Sequence, residues 1–296
     1  MNSEERLKWR EAGKLAHDAL DFGRKLIKDG AKILEVTEDI EKFIIKKKGE
    51  PAFPTNLAIN AVGAHWTPSS RCKDVFCAGD VVKLDVGVHI DGYIGDNALT
   101  IELGSDKYKR MIEASREALN SAIAVLCPGI NVGAIGNTVQ ETIEKYGYKP
   151  IANLTGHGIK RYNLHSGISV PSIRDKGSTT IKEDDILAIE PFVTDGAGRV
   201  GGSKNSNIYH LKQIRNIKDG EATKLMMEIK KRYKGLPFAE RWLHSFQDQA
   251  TKNLQKLMRA GVVTYYPILD ELGGGIVTQS EHTVLITKNG AEVLTK

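Results

Sequence analysis

The stretch Asp80-Val-Val-Lys-Leu-Asp85-Val-Gly-Val-His-Ile-Asp91-Gly92-Tyr-Ile-Gly-Asp96-Asn-Ala-Leu-Thr-Ile-Glu102 decides how this chain folds. Two apolar, β-branched runs flank an Asp-Gly dipeptide, which suits the φ > 0 positions of a type I′ turn, so the segment is predicted to be a β-hairpin. With a two-residue turn, Asp85 lies opposite Ala98, and Asp96 stands two residues from Ala98 on the same strand. Side chains alternate with period two along a strand, so both carboxylates point to one face as diagonal neighbours. A bulge near Gly95 would shift that register by one. Burying either carboxylate unpaired costs about several kcal/mol, so something must offset it.

Working outward, three more such groups appear: His157, Glu190 and Glu281, each in or beside a short apolar run. Asp80-Val-Val-Lys-Leu-Asp85 and Asp185-Ile-Leu-Ala-Ile-Glu190 share one pattern, an acid, aliphatics and a closing acid. Asp96-Asn-Ala-Leu-Thr-Ile likewise matches Glu281-His-Thr-Val-Leu-Ile. Together the echoes imply two related β-rich halves that each present two carboxylates to a central site, as an internal duplication does. Four acids and one neutral imidazole carry about four negative charges, which two divalent cations neutralise with room for a bridging water. The residues therefore point to a two-metal hydrolase.

The rest of the chain frames that site. Ala12, Leu15, Ala16, Ala19 and Leu26, then Ile33, Val36, Ile40, Phe43 and Ile44, recur at helical spacing, with Gly30 and Gly49 as stops. Residues 108–126 and 132–146 read as two further helices. From 219 to 261 the period is almost entirely helical, broken at Gly235 and Pro237, with Met226, Met227, Trp242 and Phe246 as a small core of its own. The expected organisation is an α+β catalytic body of residues 1–196 and 262–296 around a helical insertion of residues 197–261. The glycines of Gly201-Gly202-Ser203 and of 273–275 read as loops. Neither carries a phosphate-binding pattern, and nothing supports nucleotide binding.

Composition bounds the function more loosely. A chain of 296 residues that is 41% hydrophobic can bury a large core. No run approaches the ~18 apolar residues of a membrane span, and the charged start gives no signal peptide, so no membrane partner and a cytoplasmic location are expected. The three cysteines, Cys72, Cys77 and Cys127, form no C-x-x-C and read as reduced thiols. The net charge is +5, and Lys46, Lys47 and Lys48 read as a solvated helix end; no nucleic-acid site is evident.

The order Asp85, Asp96, His157, Glu190, Glu281, in the contexts KLDVG, IGDNA, TGHGI, AIEPF and QSEHT, resembles the methionine aminopeptidases of the pita-bread fold over nearly the whole chain. Phe53-Pro54-Thr55-Asn56 leading to Ala64-His65, Gly156-His157-Gly158 followed by His165, and the helical stretch before Glu281 are most similar to the type II enzymes, in their short archaeal form.

The resemblance implies a pseudo-twofold catalytic domain and a metal-dependent aminopeptidase that removes N-terminal methionine. It implies that Asp85 binds one cation, Asp96 and Glu281 bridge two, and His157 with Glu190 complete the other. The cations would be cobalt, manganese, iron or zinc. Glu190 would relay a proton from the attacking water, His165 would hydrogen-bond the scissile carbonyl, and His65 would contact the peptide nitrogen from the mouth of the site as an accessible imidazole of ordinary pKa, near ~6.5. Phe53, Leu164, Pro237 and Tyr266 would wall the methionine pocket, and His210 lies on a strand that could border it. His17, His89, His244 and His282 read as surface or satisfied core residues. Implied partners are nascent polypeptide N-termini, with transient ribosome association. Two rivals share the fold: a proline-specific peptidase, usually built with a separate N-terminal domain, and a non-catalytic binding homologue, which would not keep the whole ligand set.

Overall fold

The computed structural model describes every residue except Ser178 and Ser203. Its centre is a nine-stranded sheet. In order across the sheet come Glu50–Pro51 and Asn56–Ile59 on one edge, then Val81–Ile90, Tyr93–Glu102, Glu281–Thr287 with Gly290–Val293 beside it, Ile186–Ile189, Thr155–Ile159 and Ser169–Pro171. The hairpin forms as the sequence requires. Asp91 and Gly92 have φ of 52° and 85°, the turn pairs Ile90 with Tyr93, and the ladder runs unbroken to Val81↔Glu102, with Asp85 opposite Ala98. There is no bulge at Gly95. A Cβ there would lie 2.7 Å from the Ala12 carbonyl oxygen, so this glycine lets the first helix lie directly on the sheet.

Four helices cover the far face in two pairs, one pair per half. Ser3–Leu26 and Ile33–Lys46 pack on Val82, Leu84, Val86 and Val88. Lys109–Ala124 and Val132–Lys145 pack on Leu187, Ile189, Val284 and Ile286. The first helix opens on a capping box, Asn2 with Glu5. The second ends at Lys46, with Lys48 taking the left-handed φ of 66°. Gly49 is instead a point of close approach: a Cβ there would meet Leu15 at 2.5 Å.

Asn205–Leu211, Phe238–Ala239 and Val263–Pro267 form a separate three-stranded sheet, and with the helices Gly220–Tyr233, Glu240–Leu243 and Ala250–Arg259 they close over a core of Leu225, Met226, Phe238 and Leu257. Trp242 and Phe246 pack against that core, whereas Met227 is exposed at 49%. No helix among the described residues is long and apolar enough to cross a membrane.

Candidate metal centre

Strand register brings the five candidate ligands to one face. Asp85 and Glu281 both stand opposite Ala98, from the strands on either side of it. Glu190 follows Ile189, which pairs with His282, so its strand runs on beside Glu281. One step along the sheet, Asp96 is joined to Thr283 by reciprocal bonds: the Asp96 amide donates to Thr283 Oγ1 at 2.7 Å, and that hydroxyl donates to the Asp96 carbonyl at 2.8 Å. Thr283 pairs with Ala188, and Ala188 with His157. The residues between the ligands are thus Ala98, Thr283 and Ala188, and small side chains there leave the space above the sheet open.

The resulting cluster is dense in negative charge. His157 Nε2 lies 3.7 Å from Asp96 Oδ2 and 3.5 Å from Glu190 Oε1. Ligand atoms of Asp96, His157 and Glu281 all lie within 4.8 Å of one another. Gln279 Nε2 donates to Glu281 Oε2 at 3.4 Å and also bonds Asp85. Burial pushes Asp85 up to about 7. Asp96, Glu190 and Glu281 are raised well above the ordinary carboxylate range, by burial first and then by one another's charge. Burial and the nearby His165 bring His157 down to about 3, so its imidazole is neutral.

Asp85 Oδ1 and Asp96 Oδ1 are buried with no hydrogen-bond partner. Orphaned carboxylate oxygens facing a neutral imidazole are the donor set that hard or borderline divalent cations take, and the residues present fit such ions.

Above this floor is a cavity of about 310 Å³. Phe53, His65, Leu164, His165, Pro237 and Tyr266 line it together with all five candidate ligands. The His165 ring lies tilted at 58° to that of His157 with centroids 4.4 Å apart, and His65 meets Tyr266 edge-on at 5.2 Å. His210 is not among the lining residues but stands with its ring centroid 5.2 Å from that of Tyr266. Of the remaining histidines, His89 is 4% exposed, and His282 Nδ1 pairs with Thr295 Oγ1 at 2.9 Å.

His65 departs from expectation. It is half-buried, its Nδ1 is buried without a partner, and burial with the neighbouring His165 pushes it down to about 4, although the Pro267 backbone bonds it. It is a neutral imidazole because it is desolvated, not because it is freely accessible.

Asn56, Asn153, Leu154, Thr155, Phe192, Ile208 and Leu269 also line the cavity and were not foreseen. Phe192 carries a usable signal in the AIEPF context, two residues past Glu190. Thr155, two residues before His157 in TGHGI, and Asn56, which ends the Phe53-Pro54-Thr55-Asn56 stretch, carry a similar signal, whereas Asn153, Leu154, Ile208 and Leu269 lie in short strands and connections whose sequence says nothing of a cavity.

A model of metallopeptidase family M24 matches residues 8–288. The chain is 47% identical over 286 residues to the methionine aminopeptidase of Methanocaldococcus jannaschii, covering 97% of each. It is 42% identical over 296 residues to that of Archaeoglobus fulgidus, covering 100% of each. Among solved structures, a methionine aminopeptidase from Thermotoga maritima is similar with a TM-score of 0.73 at 26% identity, over 100% of this chain and 98% of that one. Prolidase from Pyrococcus furiosus shares the fold with a TM-score of 0.65 at 22% identity, but this chain covers only 64% of it. The fold is the pita-bread fold of that family, and the chain belongs to metallopeptidase family M24, among its methionine aminopeptidases.

Proposed function

We propose that this protein is a metal-dependent exopeptidase that removes the N-terminal methionine of newly made chains when the next residue is small. The observation that carries the reading is the juxtaposition of the buried Asp96, Glu281 and His157 with the half-buried Asp85 and Glu190 on the floor of a cavity walled by Phe53, Leu164, Pro237 and Tyr266. Asp85, Asp96, His157, Glu190 and Glu281 would hold two divalent cations, of cobalt, manganese, iron or zinc. When bound, such a pair neutralises the cluster and supplies Lewis acidity at the scissile carbonyl.

The chain's own groups do the rest. Glu190, at the edge of the cluster and beside His157, holds and passes the proton that must reach the leaving amine. His165 faces the cavity and is neutral, so its ring N–H can donate to the carbonyl oxygen as negative charge builds there. His65, desolvated and fixed against Tyr266, contacts the peptide nitrogen. The apolar walls take an unbranched thioether, and the limited volume keeps the second side chain small. We read residues 197–261 as an insertion of the type II kind that supplies Pro237 to one wall, its sheet completed by the strand Val263–Pro267, which carries Tyr266. Its substrates would be met in the cytoplasm, with transient ribosome contact as chains emerge.

The test offers the metal-loaded protein Met-Ala-Ser and Gly-Pro side by side. Release of methionine is the expected outcome. Cleavage of Gly-Pro alone would replace this reading with a proline-specific one, and no release from either peptide would remove the enzymatic reading.

A further inference from the structure

Behind the walls that carry Phe53 and His65 lies a buried ion pair that the reaction does not use. Glu41, in the helix Ile33–Lys46, is 5% exposed and pairs with Arg241, which lies 200 positions further along the chain in the helix Glu240–Leu243. The same carboxylate accepts from Trp242 Nε1 at 2.8 Å and from the Thr55 amide at 3.2 Å. A second guanidinium nitrogen of Arg241 donates to Thr67 Oγ1 at 3.0 Å and to the Pro68 carbonyl at 3.2 Å. Thr67 Oγ1 donates in turn to the Thr55 carbonyl at 2.9 Å, closing a ring of bonds.

Thr55 and Thr67 bracket the two short strands Asn56–Ile59 and Val62–Ala64. Between them stand Asn56, Ala64 and His65 of the cavity lining, with Phe53 just before. His65 has a φ of 59°, a left-handed conformation that a non-glycine residue keeps only where its surroundings over-determine it. Pro237 and Tyr266 of the lining belong to the same unit as Arg241 and Trp242, and Tyr266 meets His65 edge-on with ring centroids 5.2 Å apart.

We propose that Glu41, Arg241 and Trp242 are positioning residues, a buried latch that fixes Thr55 and Thr67 and through them holds Phe53, Asn56 and His65 in place against Pro237 and Tyr266. Losing one partner of this buried carboxylate leaves charge or a further polar group unpaired, which favours the closed arrangement. The latch touches none of the five candidate ligands, so it acts on the substrate's fit and not on the metals. This rests on reading the cavity as the methionine pocket.

Three mild substitutions test it. Thr67→Val keeps the side chain's shape and removes the hydroxyl that joins Arg241 to Thr55. Trp242→Phe removes the ring N–H, and Glu41→Gln removes the charge. Hydrogen exchange by mass spectrometry, calorimetric Mn²⁺ titration and turnover of Met-Ala-Ser are measured on each.

The expected result is faster exchange over residues 52–67 with the remote helices Lys109–Ala124 and Val132–Lys145 unchanged, and Mn²⁺ affinity as in the unsubstituted protein. With it, kcat/KM should fall about 10- to 100-fold and selection of methionine over leucine should relax. Unchanged exchange over 52–67 in all three variants, protection lost evenly along the chain, or kcat/KM equal to that of the unsubstituted protein would overturn the latch. If the unsubstituted protein releases no methionine while exchange and Mn²⁺ behave as expected, the functional reading fails and the latch stands.

Discussion

Asp96 and Glu281 carry the heaviest demand of any residues in the chain. Each is a buried carboxylate raised by burial and by its neighbours, and each comes from one of the two central strands. Replacing either with alanine should abolish nearly all turnover, a loss on the order of 10³-fold or more, because in the proposed function several kcal/mol of transition-state stabilisation depend on the ions they would hold. Methionine release at the unsubstituted rate by either variant would contradict the assignment. The same carboxylates govern stability without metal. Asp85 titrates near 7 in the fold against 3.8 as a free side chain, so the native state keeps a proton that the unfolded chain releases. Metal-free stability should therefore fall as pH rises from about 4 to 7, with Asp96, Glu190 and Glu281 acting in the same direction. Bound cations should reverse it. Melting curves at pH 5 and pH 8, with and without Mn²⁺, decide this; a metal-free Tm that rises over that interval would show the sign to be wrong.

The hairpin is where the sequence was most legible, and the reasons are local. Alternation, β-branching and Asp91-Gly92 each depend on neighbours within a few residues, and together they set a register that places Asp85 opposite Ala98. The four covering helices were readable for the same reason. The rest of the cavity was not. Glu41 and Arg241 are ordinary charges on ordinary helices until the fold brings them together, and Leu154, Ile208 and Leu269 gain their place only from cross-strand pairing and packing. His65 shows the limit most clearly: its position in the pattern was readable, but its environment is set by Pro267 and His165, far along the chain.

Two hairpin glycines separate stability from fit. In Gly95→Ala the new Cβ would press on helix backbone at Ala12 and Gly13, which cannot yield cheaply. A cost of about 1–3 kcal/mol should lower Tm by roughly 2–12 °C. In Gly87→Ala the Cβ would fall 2.1 Å from the Phe53 ring, a side chain that can swing into the cavity. That variant should keep most of its Tm and raise KM for Met-Ala-Ser. Equal Tm losses with KM unchanged in both would place Phe53 outside the pocket.

At the scale of the whole molecule, two sheet halves with paired covering helices meet along the strands Tyr93–Glu102 and Glu281–Thr287, and the candidate metal site sits on that seam. The three-stranded unit roofs it from one side. With the cavity proposed as the methionine pocket, specificity would be apolar and shallow: one methylene is worth only ~1–3 kcal/mol, so norleucine should compete well with methionine, while lysine or glutamate should be rejected strongly. Peptides differing only at the first residue measure that directly, and comparable rates for Met-Ala-Ser and Lys-Ala-Ser would refute an apolar pocket. The decisive measurement is the number of metal ions bound per chain, by elemental analysis of the Mn²⁺-loaded protein and of Glu281→Ala after removal of free metal, with methionine release followed on the same samples. Two ions per chain with turnover, falling to one or none without turnover in the variant, is expected. A protein that turns over with no bound metal, or a variant that keeps both ions and full activity, would contradict the assignment of this cluster as the catalytic centre.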